Sequence, residues 1–244
     1  MLGTKGDGHF KVFLGGTCNE SNWREELIGK LNIEYFDPVV EDWTYSCIEK
    51  EEEEKATSDF LLFTITPEMT GVYSIAEAVQ ASNIMPEKTV FCILESYGGK
   101  TFDKGQLRSL EQVGYIIANN GGRVFYNLES TAKYLNSIRE EYIKNSIGKI
   151  VRYFKGDLYM IDGIATHTET DEEYVVYRAL YGTCKDYIRP LKMFAEPCKI
   201  EDQEEYKQFY RFEVYCPESL KKQRTFKFTD FNIKEIEEEA VGVK

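Results

Sequence analysis

From residue 10 to about residue 145, short apolar runs alternate with helix-length segments, and this alternation limits the fold more than any other feature of the chain. The pattern predicts strands at 10–15, 33–36, 59–65, 89–94 and 122–126, and helices at 22–31, 46–56, 73–83, 105–118 and 128–145. Strands that alternate with helices through short connections belong to a parallel sheet covered by helices. The run Asp59 to Thr66 is continuously β-rich and apolar for one strand length, as a strand buried on both faces must be. The expectation is an α/β domain over residues 1–147, a doubly wound parallel sheet of five strands.

After Gly148 the texture changes to short runs of Tyr, Val, Ile, Phe and Thr, punctuated by Lys155-Gly156-Asp157, Thr170-Asp171-Glu172 and Gly182-Thr183-Cys184-Lys185. Turn residues between period-two segments such as Glu173 to Arg178 are hairpin signals. Residues 148–244 therefore read as a small, mostly-β, barrel-like domain, with no helix before the last dozen residues. The acidic tail, Glu235 to Glu239, reads as a solvated helix face or a frayed end.

The 244 residues suffice for a sizeable core in one large domain or two smaller ones. With 42 acidic against 30 basic side chains the net charge is −12, which opposes binding to a nucleic-acid backbone. A small nucleotide remains compatible, because a single loop of backbone N–H groups can hold phosphate. Six cysteines without Cys-x-x-Cys spacing, and only His9 and His167 to join them, read as reduced thiols rather than a metal site. No cofactor is implied. No stretch approaches the ~20 apolar residues of a membrane span, and Met1 to His9 lack the apolar core of a signal peptide. The expected setting is cytoplasmic, away from any membrane.

In open α/β sheets ligands bind beyond the carboxyl ends of the strands. Two loops there carry candidate residues. Gly15, Gly16 and Thr17 follow the first strand and allow close backbone approach, and Asn19, Ser21 and Asn22 supply donors and a helix cap just beyond. Arg24 either reaches a 5′-phosphate or pairs with a neighbouring acid, while Trp23, one turn before Leu27, reads as core. The loop after the third strand holds Thr70, Gly71, Tyr73 and Ser74, and the helix that follows brings Glu77, either a site carboxylate or a solvated glutamate favoured by the helix dipole. Between these loops lie Asp37, Asp42 and Trp43; either aspartate could supply a proton or contact a sugar, and the indole either stacks on a base or packs on the core. Asp59 begins its strand, the end normally remote from ligand, which suits a cap or surface residue. His167 beside Glu169 reads as a structural hydrogen-bonded pair.

Taken in order, Phe13 to Thr17, Asn22 to Arg24, Phe36 to Trp43 and Gly71 to Ala78 resemble the nucleoside 2-deoxyribosyltransferase-like superfamily over about residues 10–125. That resemblance implies a flavodoxin-like sheet and an enzyme that cleaves or exchanges the N-glycosidic bond of a nucleoside or nucleoside 5′-monophosphate. It places the catalytic carboxylate at Glu77, gives Asp59 a part in binding or protonating the base, and implies a homo-oligomer that completes its sites across subunits. Breaking an N-glycosidic bond builds positive charge at C1′ and negative charge on the departing base, so a carboxylate and an acid are the groups such chemistry needs. The chain departs from the transferase pattern in having Thr70, Gly71, Tyr73 and Ser74 where an aspartate usually precedes the glutamate. This hydroxyl-rich loop suits ribose or phosphate, so nucleotide hydrolysis stands beside base exchange. The alternative is a non-catalytic nucleotide-binding protein, a sensor or sequestering protein for signalling nucleotides. Residues 149–197, through Tyr153 to Gly156, Tyr177 to Gly182 and Arg189 to Phe194, resemble DUF1653, a small bacterial β-domain of unknown function.

Overall fold

The computed structural model describes residues 8–18, 21–40 and 45–215. The chain opens with strand β1 (Lys11–Gly16), helix α1 (Trp23–Ile28), strand β2 (Glu34–Phe36) and helix α2 (Tyr45–Thr57). Strand β3 (Phe60–Ile65), helix α3 (Tyr73–Ile84) and strand β4 (Thr89–Ile93) follow. A hairpin of two short strands, β5 (Ser96–Tyr97) and β6 (Lys100–Thr101), precedes helix α4 (Lys104–Asn120), strand β7 (Arg123–Phe125) and helix α5 (Leu128–Lys144). The five long strands form a parallel, flavodoxin-like sheet in the order β2-β1-β3-β4-β7.

All six residues of β3 are buried, because helices cover both faces of this central strand. Alternate residues point to opposite faces, which divides the core in two. Val12, Leu14, Phe60 and Leu62 pack with Trp23, Leu27, Leu128 and Leu135 of α1 and α5. Phe13, Leu61, Phe63 and Ile65 pack with Ala78, Ala81, Leu110 and Ile117 of α3 and α4. Helix α4 starts where it does because Asp103 and Gln106 form a reciprocal capping box. It stops at Gly121, whose left-handed backbone closes the last turn.

Helix α2 is the exception to this packing. Charged residues dominate its sequence, and none of its described side chains is fully buried. A helix with no apolar stripe has nothing to bury and must be held by ion pairs. Those present join Lys11 to Glu54 and Lys55 to Glu77, with Lys50 and Lys55 lying over the rings of Phe36 and Phe13.

The second sheet is antiparallel. It contains β8 (Ile150–Tyr153), β9 (Leu158–Thr166), β10 (Glu173–Ala179), β11 (Asp186–Pro190) and β12 (Phe212–Val214), in the order β11-β10-β9-β8-β12. Its core holds Val151, Ile161, Val175, Tyr177 and Phe212. The expectation of no helix before the last dozen residues is corrected by α6 (Leu191–Ala195) and α7 (Ile200–Tyr206). Helix α6 seats Leu191, Phe194 and Ala195 on this sheet, with Phe194 stacked on Phe212 at 4.1 Å between ring centroids.

One buried side chain links the two sheets. Arg139 of α5 donates to the carbonyl of Gly8 at 2.9 Å and to that of Phe212 at 2.6 Å, with its guanidinium 3.9 Å above the Tyr210 ring. Beside it, His9 meets Glu213 at 2.9 Å.

Candidate functional site

The carboxyl ends of β1 and β3 run into the two loops that the sequence singles out, and a cavity of about 540 Å³ opens there. Its walls include Gly15, Gly16, Arg24, Tyr73, Ser74 and Glu77. A smaller cavity of about 190 Å³ adjoins it, bordered by Gly16, Thr17, Gly71, Tyr73 and Ser74. Eight of the candidate residues are thus brought to one end of the sheet.

Gly16 is required by the backbone. Its φ is +122°, and a Cβ there would stand 2.1 Å from the Thr64 carbonyl oxygen. The Thr17 hydroxyl accepts from the Thr66 N–H at 3.0 Å and the Thr17 N–H donates to Thr64 at 2.9 Å, so Thr17 pins the loop to β3. The Ser74 hydroxyl donates to the Gly16 carbonyl at 3.3 Å, joining the two loops. Tyr73 leaves 71% of its surface exposed at the cavity mouth.

Arg24 is built into the wall rather than extended into the space. Its guanidinium donates to the carbonyls of Leu14 at 2.9 Å, Thr17 at 2.8 Å and Gly16 at 3.4 Å, and lies 3.4 Å from the Asp37 carboxylate. Of the two roles open to it, the structure shows the ion pair. Burial leads in drawing its pKa below the ordinary value, against the pull of Cys18 and Asp37. Asp37 also accepts from the Val39 N–H at 3.0 Å, so this carboxylate shapes the loop beside the cavity. Trp23 is fully buried, as its helical position implies, and its indole donates to Thr17 at 2.8 Å.

Glu77 lies one turn inside α3, and its side chain is only 13% exposed. A solvated, dipole-stabilised glutamate does not describe it. Its partner is Lys55 of α2, which also reaches Glu51 and Glu52 at 3.0 Å each. Burial pushes the Glu77 carboxyl up; Lys55 pulls it down, Glu51 and Glu52 push up again, and the balance lies above the usual carboxylate value. For Lys55 burial opposes the charge, but the surrounding carboxylates more than offset it and raise the pKa. Lys55, Glu51 and Glu52 are site residues that sequence reasoning missed. Their spacing on a polar helix reads as a solvated face of ion pairs, and nothing local shows that the lysine also spans to α3.

A second cavity, about 790 Å³, continues between α2 and α3 along the sheet face. Its floor is apolar, with Leu61, Phe63, Ala81 and Met85. It shares Glu52, Lys55, Tyr73 and Glu77 with the first cavity. The Lys55–Glu77 bridge therefore stands between the two cavities.

Asp59 is not part of this assembly. It precedes β3 at the opposite end of the strand and accepts from the Lys11 N–H at 2.9 Å, bracing the start of β1. A parallel strand carries its first residue to the far edge of the sheet, so a direct role for Asp59 at the crevice is withdrawn. Asn19, Asp42 and Trp43 lie outside the described residues. Among the described residues no group of three or more His, Cys, Asp or Glu side chains is placed to hold a metal ion. Burial pushes the thiols of Cys92 and Cys198 up to about 11, which keeps both protonated. His167 turns inward on its own loop and accepts from the N–H groups of Glu169 and Thr170 at 3.3 Å. No helix of the described residues is long and apolar enough to cross a membrane.

Residues 9–97 match the family described as "Nucleoside 2-deoxyribosyltransferase like", and residues 149–214 match "Protein of unknown function (DUF1653)". No curated protein matches the chain. Among solved structures, a DUF1653 protein from Bordetella bronchiseptica is similar at 30% identity, over 28% of this chain and 85% of that one, with a TM-score of 0.24. Two separate segments of the chain thus match two different families, residues 9–97 the nucleoside 2-deoxyribosyltransferase-like one and residues 149–214 DUF1653.

Proposed function

We propose that the protein cleaves or transfers at the N-glycosidic bond of a nucleoside or nucleoside 5′-monophosphate, with Glu77 as the nucleophile. The observation that carries this reading is the placement of one largely buried carboxylate at the carboxyl end of the sheet, between two cavities. The larger cavities fall in the size range of small-molecule sites. In the first step a Glu77 oxygen bonds to C1′ as the C1′–N bond breaks, and the bonding pair leaves with the base, which takes up a proton. Water or a second base then displaces the carboxylate from C1′. The cavity beside the loop after β1, with the Gly16 backbone and the Tyr73 and Ser74 hydroxyls, suits the sugar.

The rival is a non-catalytic nucleotide-binding protein, and it draws support from the ion pair that neutralises Glu77. The two readings separate on free-base release from ribo- and deoxyribonucleosides and their 5′-monophosphates, measured with and without an acceptor base. Glu77→Gln keeps the shape of the site but removes the charge that only the transition state needs. Release is expected to fall at least ~100-fold while ligand binding changes little. Release unaffected by the substitution would refute the nucleophile. Ligand binding with no release from any substrate would establish the rival.

A further inference from the structure

We infer that Lys55 is a positioning residue for Glu77, holding its carboxylate ionised and fixed at the boundary of the two cavities. The inference rests on the function proposed above for Glu77, but its geometry is independent of any substrate. Lys55 is set apart from its neighbours on α2. It sits on a helix whose described side chains are none of them fully buried, yet its own side chain is only 14% exposed. The ammonium reaches across from α2 to α3, lies 5.5 Å from the Phe13 ring centroid, and borders both cavities.

The charges around Glu77 show what the lysine offsets. From α2 the carboxylate faces Lys55, Glu51 and Glu52. Tyr73 and Ser74 of α3, Cys18 from the loop after β1 and the Arg24 guanidinium of α1 border the same cavity. Remove Lys55 and Glu77 is left partly buried, facing the like charges of Glu51 and Glu52, while Arg24 in the same cavity is committed to backbone carbonyls and Asp37. Burial and like charge both favour the protonated acid, which cannot attack C1′. In the wild type Lys55 counters that tendency. Glu51 and Glu52, four and three residues earlier on the same helix, hold the lysine in register.

The test uses Lys55→Met and Lys55→Gln as two neutral replacements and Lys55→Arg as the charge-conserving one. Carbon-detected NMR titration of glutamate carboxyl groups, with the Glu77 signal assigned from its loss in Glu77→Gln, reads the carboxylate in the ligand-free protein. The neutral variants are expected to raise the Glu77 midpoint by about one unit or more, and Lys55→Arg to restore it. The acid limb of base release is expected to move by the same interval, with activity recovering at higher pH; a merely structural role would lower activity at every pH. An unchanged Glu77 midpoint in both neutral variants overturns the inference. Base release with an unmoved acid limb also overturns it, while leaving the proposed function standing. If no nucleoside releases base, that function falls, and the titration alone still decides the role of Lys55.

Discussion

Arg24 and Glu77 show what a sequence position can and cannot disclose. Both were legible as residues at the carboxyl end of a parallel sheet, because strand–loop–helix punctuation fixes where such loops go. Their partners were not. Arg24 serves three carbonyls and one carboxylate, which makes it part of the loop's architecture. Replacing it with Met strands those acceptors in a buried place and is expected to cost on the order of 3 kcal/mol. Thermal unfolding would show that loss. Binding of a nucleoside and its 5′-monophosphate should weaken equally in Arg24→Met; selective loss of the monophosphate would instead assign the guanidinium to phosphate. Lys55 was hidden for a related reason, since Glu77 lies 22 residues away and no local pattern records a bond of that span.

At the scale of elements, the central strands β1, β3 and β4 and the helices α1, α3, α4 and α5 follow from apolar pattern, because each buries a face. The hairpin β5–β6 escaped because its two strands hold two residues each, too few for a period to show. Helices α6 and α7 were masked by their β-rich surroundings, although Pro190 before Leu191 and the acids Glu201 and Asp202 at the start of α7 are helix-opening signals. Helix α2 poses the opposite problem: its sequence reads as helix, but nothing apolar fastens it. Its amides are therefore expected to exchange with solvent faster than those of α3, and faster still in 1 M salt, where exposed ion pairs are screened. Equal protection of the two helices by hydrogen-exchange mass spectrometry would show that α2 is secured by contacts other than these charges.

For the whole molecule, the junction between the sheets sets how stability responds to acid. Glu213 is half-buried, which alone would raise its pKa, but hydrogen bonding and charge from His9 and the N–H groups of Tyr210 and Phe209 bring it below the usual 4.5. A carboxyl whose pKa is lower folded than unfolded contributes stability that is complete above the unfolded value and is lost as pH falls through the folded one. Glu213→Gln should thus destabilise the protein by about 1–3 kcal/mol at pH 7. The gap from wild type should narrow in urea titrations at pH 3, and a gap independent of pH would rule out this linkage. The two-part organisation was legible from the change in texture near Gly148, whereas the tie through Arg139 was not, because it depends on carbonyls rather than side-chain types. That tie joins positions 131 and 73 residues apart in the chain. A ribosome delivers Gly8 and Arg139 long before Phe212, so throughout synthesis of the second sheet the guanidinium waits with its Phe212 acceptor not yet made. The clasp between the sheets can close only once translation has passed the last strand.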